Sequence, residues 1–267
     1  MRKIMTLLTV LALLFGCASA LAETEIIVFA AASMTETLTE VAGRYMTEHP
    51  DVAVICNFDS SGTLKTQIQE GAPCDLFISA AKKQMDQLDI DAPGEVNTEG
   101  LDFVDRATRV DLLENRVTLA VPEGNPRGVE GFDQLAELLR DGDILLAIGN
   151  SDVPVGQYTQ KIFEFYDIDE AAVAHKLTYG SNVKEVTTQV AEQSVDCGII
   201  YGTDAFSAGL SVVDEATEAM CGGRVVYPAA VLKTAANPLA ARDFLAYLQT
   251  EECAEVFASV GFTPLSQ

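Results

Sequence analysis

The sequence IIVFAAASMTE at residues 26–36 decides the fold, because an apolar strand runs directly into a turn of small residues and then into a helix. The same succession recurs in VICNFDSSGTLK, LLAIGNSDVPVGQY and GIIYGTDA, at residues 54–65, 145–158 and 198–205. A helix that begins where a strand ends presents backbone N–H groups without intrahelical partners and a partial positive charge. Several such helix starts meeting in one cleft would bind a small oxyanion without any cation.

Apolar runs of strand length alternate with amphipathic segments along the chain. Within residues 34–46, Leu38, Val41, Ala42 and Tyr45 recur at helical spacing. Most of the apolar runs are continuous, which is typical of parallel strands buried on both faces. We therefore predict a doubly wound α/β protein that binds its ligand at the carboxyl ends of the strands. The predicted strands cover residues 26–32, 52–58, 75–81, 116–121, 143–149, 197–201 and 224–232.

The distribution of these strands predicts two lobes. A polar segment at residues 89–109 precedes a new group of strands, and the strand at 224–232 would return the chain to the first group. We accordingly assign residues 23–107 and 224–267 to lobe 1 and residues 108–223 to lobe 2. Two sheets flanked by helices and joined by two crossings imply a cleft that closes on a ligand by hinge motion.

The amino terminus has the pattern of a signal peptide at residues 1–22. Arg2 and Lys3 precede an apolar core that is too short to span a bilayer, and Ala20-Leu21-Ala22 is a small-residue cleavage site. A lipid-modified cysteine at Cys17 is the alternative, although the bulky Phe15 disfavours it. Either way we expect an exported protein in the periplasm or on the outer face of the cytoplasmic membrane.

Composition excludes several kinds of partner. The net charge is −23, and loss of Arg2 and Lys3 with the signal peptide makes it −25. Such a surface repels nucleic acid and anionic membranes, so an anion site in this chain must be local and built from dipoles. The chain has two histidines, and neither has a second ligand at metal spacing, which argues against a zinc or iron site. Buried free thiols are favoured over disulfides, although Cys56–Cys74 stays conceivable, for the cysteines at 56, 74, 197, 221 and 253.

Two serines are candidate ligands in the first half of the chain. Ser33 follows the first strand, and Glu36 three residues later also fits an ordinary capping box, which is the alternative explanation for this serine. Ser61 follows the second strand beside Ser60 and Gly62, where hydroxyl groups and a glycine allow close approach of the backbone. Each site taken alone is most often a helix cap or a turn.

Three further candidates lie in the second half. Val155 has no polar side chain, so any role at this helix start must come from its backbone N–H. Val183 has the same character, and its neighbours Asn182 and Glu185 are spaced as a capping box. Tyr201 ends an apolar strand, where its hydroxyl would either donate to an anion in a dry cleft or be satisfied within the core.

Together these residues resemble a known family. The segments FAAASMTETL (29–38), FDSSGTLKTQIQEGAPCDLFISA (58–80), DVPVGQY (152–158), NVKE (182–185) and IIYGTDA (199–205) are similar to the molybdate-binding proteins of bacterial molybdate ABC importers. The resemblance extends over the whole mature chain. It implies the two-lobed, type II periplasmic-binding-protein fold with a hinge, a permease in the membrane as partner, a monomer, no cofactor and no catalysis.

The resemblance also implies a ligand and the residues that hold it. Ser33 and Ser61 would each give a hydroxyl and an amide, Val155 and Val183 a backbone N–H, and Tyr201 its hydroxyl, all to molybdate or tungstate. A site made only of donors disfavours hydrogen phosphate, whose O–H would find no acceptor. The chain departs from the family pattern at Asp59, which would repel an anion unless it points away, and at Gly62.

Other functions fit the sequence less well. A receptor for sulfate, phosphate or a small organic anion on the same fold stays open, and ligand competition distinguishes it. A serine hydrolase would need a nucleophile elbow and a general base, but the chain has no GxSxG motif, and neither His49 nor His175 lies in a suitable motif. A structural envelope protein would show no saturable small ligand, and no repeat supports it.

Overall fold

The structure, a computed structural model, describes residues 24–93 and 95–265, and the predicted signal peptide with Cys17 lies outside this part. It contains two mixed sheets, each flanked by helices, as the sequence predicts. The first sheet has the strand order β11-β4-β10-β3-β1-β2. Its strands are β1 (Thr24–Ala31), β2 (Val52–Asp59), β3 (Leu76–Ile78), β4 (Val110–Asn115), β10 (Val225–Val231) and β11 (Thr263–Pro264).

The strands of the second sheet are β5 (Val117–Val121), β6 (Leu146–Gly149), β7 (Leu177–Gly180), β8 (Cys197–Tyr201) and β9 (Ser211–Glu215). Their order, β7-β6-β8-β5-β9, repeats the plan of the first sheet. In each sheet three neighbouring strands are parallel, and the next strand, β10 in the first sheet and β5 in the second, is antiparallel. The continuous apolar runs at β5 and β10 therefore reflect burial rather than parallel pairing.

Helices cover both sheets. The first sheet is covered by α1 (Thr35–Glu48), α2 (Ser61–Gln69), α3 (Lys82–Asp86), α10 (Pro238–Tyr247) and α11 (Glu251–Ser259). The second lobe contains α4 (Phe132–Asp141), α5 (Pro154–Phe165), α6 (Glu170–Val173), α7 (Val183–Ala191), α8 (Gly202–Ser207) and α9 (Glu218–Cys221). Along β1, Val28 and Ala30 pack into one core cluster and Phe29 into another, so this central strand is buried on both faces.

The predicted border between the lobes needs a correction. The sequence places residue 108 at the start of lobe 2, yet β4 pairs with β10 in the first sheet. The second sheet begins with β5 at Val117, so the first crossing lies at Asn115–Arg116. The two strands follow each other with one intervening residue, and nothing in their composition marks which sheet each one joins. The second crossing lies between β9 and β10.

The cysteine side chains are mostly part of the core. All five described cysteines are free thiols, and only Cys56, on the edge strand β2, is half-buried rather than buried. Burial raises the pKa of Cys74 to about 12 and that of Cys197 to about 12, which keeps these thiols protonated and unreactive. Among the described residues no group of three or more His, Cys, Asp or Glu side chains could hold a metal ion. No helix in this part of the chain is long and apolar enough to cross a membrane.

Candidate oxyanion site

The five residues selected from the sequence line one small, nearly filled cavity between the two lobes. None of the five is more than 5% exposed, so the cleft is closed over them. Each stands at the carboxyl end of a parallel strand or at the start of the helix that follows it. They are Ser33, Ser61, Val155, Val183 and Tyr201.

Ser33 is not the helix cap that its spacing to Glu36 suggests. It lies in a single 3₁₀ turn, Ala32–Met34, and the cap of α1 is Met34, which accepts no side-chain hydrogen bond. The Ser33 hydroxyl instead forms a 2.9 Å hydrogen bond with the hydroxyl of Tyr227 on β10. Because the turn separates Ser33 from the helix, its side chain is released from capping and faces the cavity.

Ser61 is the first residue of α2, and its neighbour Ser60 takes the capping role. The Ser60 hydroxyl accepts a hydrogen bond from Thr63 N at 3.1 Å. The Ser61 hydroxyl accepts one from Ala80 N at 2.9 Å. A hydroxyl that is already an acceptor has its own hydrogen left to donate. In addition, the N–H of a first helical residue has no intrahelical partner.

The second lobe contributes backbone groups at two helix starts. Val155 is the second residue of α5, after Pro154, whose ring suits the first helical position. Val183 is the first residue of α7, and Asn182 caps this helix by accepting a hydrogen bond from Glu185 N at 3.1 Å. Both valines bury their side chains in the core, which leaves the backbone N–H as their only polar group on the cavity side.

Tyr201 brings a side-chain hydroxyl from the end of β8. The residue is 1% exposed, and its Oη atom has no hydrogen-bond partner in the described part of the chain. Burial raises the pKa of this phenol well above its usual range, so it stays a neutral donor. A buried hydroxyl without a partner is costly, and this one lines the cavity.

The residues around the cavity are all uncharged. Besides the five, the lining consists of Ala31, Ala32, Ser60, Ala80, Val153 and Pro154. Hydroxyl hydrogens and helix-start N–H groups therefore converge on a small, dry space without a carboxylate or a cation in its wall. Chemically, the arrangement suits a small anion that only accepts hydrogen bonds.

The two departures from the family pattern have structural explanations. The Asp59 carboxylate turns away from the cavity. Its Oδ1 accepts hydrogen bonds from Ser60 N at 2.7 Å and from the Asn182 side chain at 3.4 Å. A side chain at Gly62 would place its Cβ 2.1 Å from the carbonyl oxygen of Asp152 in the other lobe. Glycine at position 62 is therefore required by the close approach of the two lobes.

Further contacts join the lobes beside the cavity. Lys184, next to Val183, donates to both carboxylate oxygens of Glu36 in the first lobe, at 2.9 and 2.8 Å. Gln84 donates to Gln157 at 3.1 Å. The Lys184 ammonium also lies 3.1 Å from the buried carboxylate of Asp204. Burial raises the pKa of Asp204 to about 6, although the charge of Lys184 opposes this shift.

Two residues of the site were not predicted from the sequence. Tyr227 lies inside the apolar run of β10, where it looks like an ordinary core residue, and Asn115 lies at the crossing between the sheets. Asn115 Nδ2 donates to Tyr227 Oη at 3.1 Å, and both side chains are buried. The only available signal was at Tyr227, a polar group within a strongly apolar segment; Asn115 lies between Glu114 and Arg116, and nothing in the sequence marks it.

The chain is similar to known proteins along nearly its whole length. Residues 26–263 match the family model of the bacterial extracellular solute-binding proteins. The molybdate-binding protein ModA of Escherichia coli is 34% identical over 269 residues, which cover 98% of each chain. A putative ABC transporter substrate-binding lipoprotein of Bacillus subtilis, YvgL, is 31% identical over 96% of this chain and 95% of its own.

A solved structure gives the same result for the fold. The periplasmic molybdate-binding protein of Azotobacter vinelandii superimposes with a TM-score of 0.74 at 21% identity. The match covers 91% of this chain and 100% of that one. At this identity the similarity concerns the two-lobed architecture alone.

Proposed function

Because this chain belongs to the bacterial extracellular solute-binding proteins, we propose that it captures molybdate outside the cytoplasmic membrane and delivers it to the permease of an ABC importer. Proteins of this family bind and release their solutes without transforming them, so the chain is not an enzyme. Its ligand is a small oxyanion held between the lobes. Tungstate, which has nearly the same size and charge as molybdate, would bind at the same residues.

The observation that carries this proposal is the unpaired hydroxyl of Tyr201. A fully buried phenol whose hydrogen has no acceptor costs about 1–3 kcal/mol, and an acceptor atom of a ligand in the cavity would remove that cost. The groups around it favour an anion, because Ser33 and Ser61 have hydroxyl hydrogens to give, and Val155 and Val183 have N–H groups at helix starts. Each serine would also give its amide, which makes seven donors in total.

The strength of these bonds suits tight binding. A hydrogen bond to a charged group contributes roughly 1.5–3 kcal/mol. Seven such bonds would leave a favourable balance after the anion loses its water, and a nanomolar dissociation constant corresponds to about 12 kcal/mol. Sulfate is smaller and would form longer bonds, and hydrogen phosphate would bring an O–H for which the cavity lining has no charged acceptor.

The setting of the protein follows from its family. Solute-binding proteins of this class act outside the cytoplasm, which agrees with the predicted signal peptide at residues 1–22. We favour cleavage after Ala22, with lipid attachment at Cys17 as the alternative, and a monomer that contacts the permease through both lobes.

Titration calorimetry tests the proposal. The protein without its predicted signal peptide is titrated with molybdate, and then with sulfate and phosphate at the same pH. We expect one-to-one molybdate binding that is much tighter than sulfate binding and is weakened in Ser33→Ala and Tyr201→Phe. Tyr247→Phe is the matched control, since its hydroxyl is also buried without a partner in the described chain but lies on α10, outside the cavity lining. Sulfate binding that is as tight as molybdate binding, or tighter, would show that the protein serves a different importer.

A further inference from the structure

Behind Ser33, a row of buried polar side chains runs away from the cavity. The Ser33 hydroxyl contacts the hydroxyl of Tyr227 at 2.9 Å, and Asn115 Nδ2 donates to that hydroxyl at 3.1 Å. The same amide nitrogen donates to Thr203 Oγ1 in the second lobe at 2.9 Å. Asn115 Oδ1 accepts a hydrogen bond from Arg116 N at 2.8 Å. Three bonds thus hold the amide of Asn115 in one orientation.

This orientation sets the direction of every hydrogen bond in the row. An amide nitrogen only donates, so the oxygen of Tyr227 is an acceptor toward Asn115. If Ser33 also donated to Tyr227, the phenolic hydrogen would have no acceptor in a fully buried place, which is costly. The Tyr227 hydroxyl therefore donates to Ser33. Burial raises the pKa of Tyr227 well above its usual range, which keeps that hydrogen in place.

We propose that Asn115 and Tyr227 are positioning residues that fix Ser33 as a donor toward the cavity and thereby help to reject protonated oxyanions. With one lone pair of the Ser33 oxygen occupied by Tyr227, the serine hydrogen points to the ligand. A serine free to rotate could turn a lone pair inward and accept the O–H of hydrogen phosphate. This inference rests on the proposed function and adds two residues that do not line the cavity themselves.

The first test removes the phenolic hydroxyl in Tyr227→Phe. Ser33 then chooses among about three staggered rotamers, so molybdate affinity should fall by about threefold to tenfold. Affinity for inorganic phosphate, measured in mildly alkaline buffer where the ion keeps one proton, should fall less or rise. The ratio of molybdate affinity to phosphate affinity should fall by about tenfold. Tyr45→Phe, another buried tyrosine of the first lobe, is the control and should leave the ratio unchanged.

A double-mutant cycle shows whether Tyr227 acts through Ser33. In the background of Ser33→Ala, adding Tyr227→Phe should change molybdate affinity no further, because the group to be oriented is gone. Additive effects, or an unchanged ratio between molybdate and phosphate in Tyr227→Phe, would overturn the proposal. If the unmodified protein binds no molybdate, the proposed function itself fails; if it binds and the cycle is additive, only the positioning role fails.

Asn115→Asp provides a second route if Tyr227→Phe does not fold. A carboxylate in place of the amide accepts a hydrogen bond from Tyr227, so the Tyr227 oxygen then accepts one from Ser33. The directions of these hydrogen bonds are thereby reversed, and a lone pair of Ser33 faces the ligand. Molybdate and hydrogen phosphate both carry two negative charges, so repulsion by the new carboxylate affects both alike. A shift of the affinity ratio toward phosphate supports the proposal, and an unchanged ratio in a folded variant contradicts it.

Discussion

On the first-lobe side of the cavity the candidate donors include two serine hydroxyls, which are hydrogen-bonded to Tyr227 and to Ala80 N, whereas on the second-lobe side two of the three candidates are backbone N–H groups of valines. Side-chain donors depend on residue identity and on neighbours that orient them. Backbone donors depend only on where a helix begins. The two halves should therefore respond differently to substitution.

Both sets of donors can reach one ion only when the two lobes are closed, and Gly62→Ala should prevent this closure. The added Cβ would lie 2.1 Å from Asp152 O in the opposite lobe, and backbone cannot move as easily as a side chain. We expect molybdate affinity to fall on the order of 100-fold or more, because the closed state is lost.

Gly43→Ala is the matched control for this substitution. It lies within α1, with no atom within 4 Å of an added Cβ, and should leave binding unchanged while stabilising the fold by about 0.5–1 kcal/mol. Unchanged affinity in Gly62→Ala, measured by calorimetry, would show that binding does not bring the lobes this close.

The contrast between side-chain and backbone donors is tested by Ser61→Ala and Val183→Ala. Loss of the serine hydroxyl should cost roughly 1.5–3 kcal/mol of binding, about 10-fold to 150-fold in affinity. Val183→Ala keeps its N–H, so affinity should stay within about threefold, while the free energy of unfolding falls by about 1–3 kcal/mol from lost burial. Equal losses of affinity in the two variants would contradict the contrast.

The buried carboxylate of Asp204 in the second lobe makes the stability of the fold depend on pH. The pKa of Asp204, about 6 in the folded protein against 3.8 for a free side chain, means that protonation favours folding. This stabilisation is complete below about pH 3.8 and is lost as the pH rises through about 6. Lys184 and Glu36 are the charged groups that face it.

Asp204→Asn should remove this dependence. As the pH is raised from about 4 to about 7, the free energy of unfolding of the variant should rise by about 1–3 kcal/mol relative to that of the unmodified protein. Chemical denaturation at several pH values measures the difference, and Asp141→Asn, at an exposed position, is the control. A difference between variant and parent that does not change with pH would contradict the role of Asp204.

The smallest effect is expected at the ion pair across the cleft. Glu36→Gln removes the partner of Lys184 in the first lobe, but the Glu36 side chain is 52% exposed. Such a pair contributes at most about 1 kcal/mol, so affinity should fall by less than about fivefold, and less at high salt. Glu40→Gln, whose partner Arg44 lies on the same helix, should have no effect on binding. A loss of molybdate affinity above about tenfold in Glu36→Gln would show that this ion pair contributes more to closure of the lobes than an exposed pair usually does.

Much of the site was predictable because it is local in sequence. A strand, a turn of small residues and a helix occupy about a dozen neighbouring positions, and each of the four units recognised in the sequence contains one candidate that lines the cavity. The fifth candidate, Val183, came from the separate segment NVKE. Ser61 and Val183 are cases in which helix-start chemistry was sufficient. The capping box at Ser33 and Glu36, the alternative explanation for this serine, is absent, because a 3₁₀ turn separates the serine from the helix.

The residues that were missed depend on contacts distant in sequence. Tyr227 lies 194 positions from Ser33, and the need for glycine at position 62 arises only from Asp152 in the other lobe. The strands β4, β7, β9 and β11 were also not predicted. The last three are edge strands, and none of them shows the apolar run that marks a buried strand: β9 has no fully buried residue, and β11 has only two residues.

The burial of the five candidate residues also has a kinetic meaning. With each at most 5% exposed, a bound ion would be shielded from solvent while the lobes are together. The residence time of the ion is then set by how often the lobes part, and the strength of the hydrogen bonds acts by making that parting rare. A membrane partner that pulls the lobes apart would thereby release the cargo without touching a single donor.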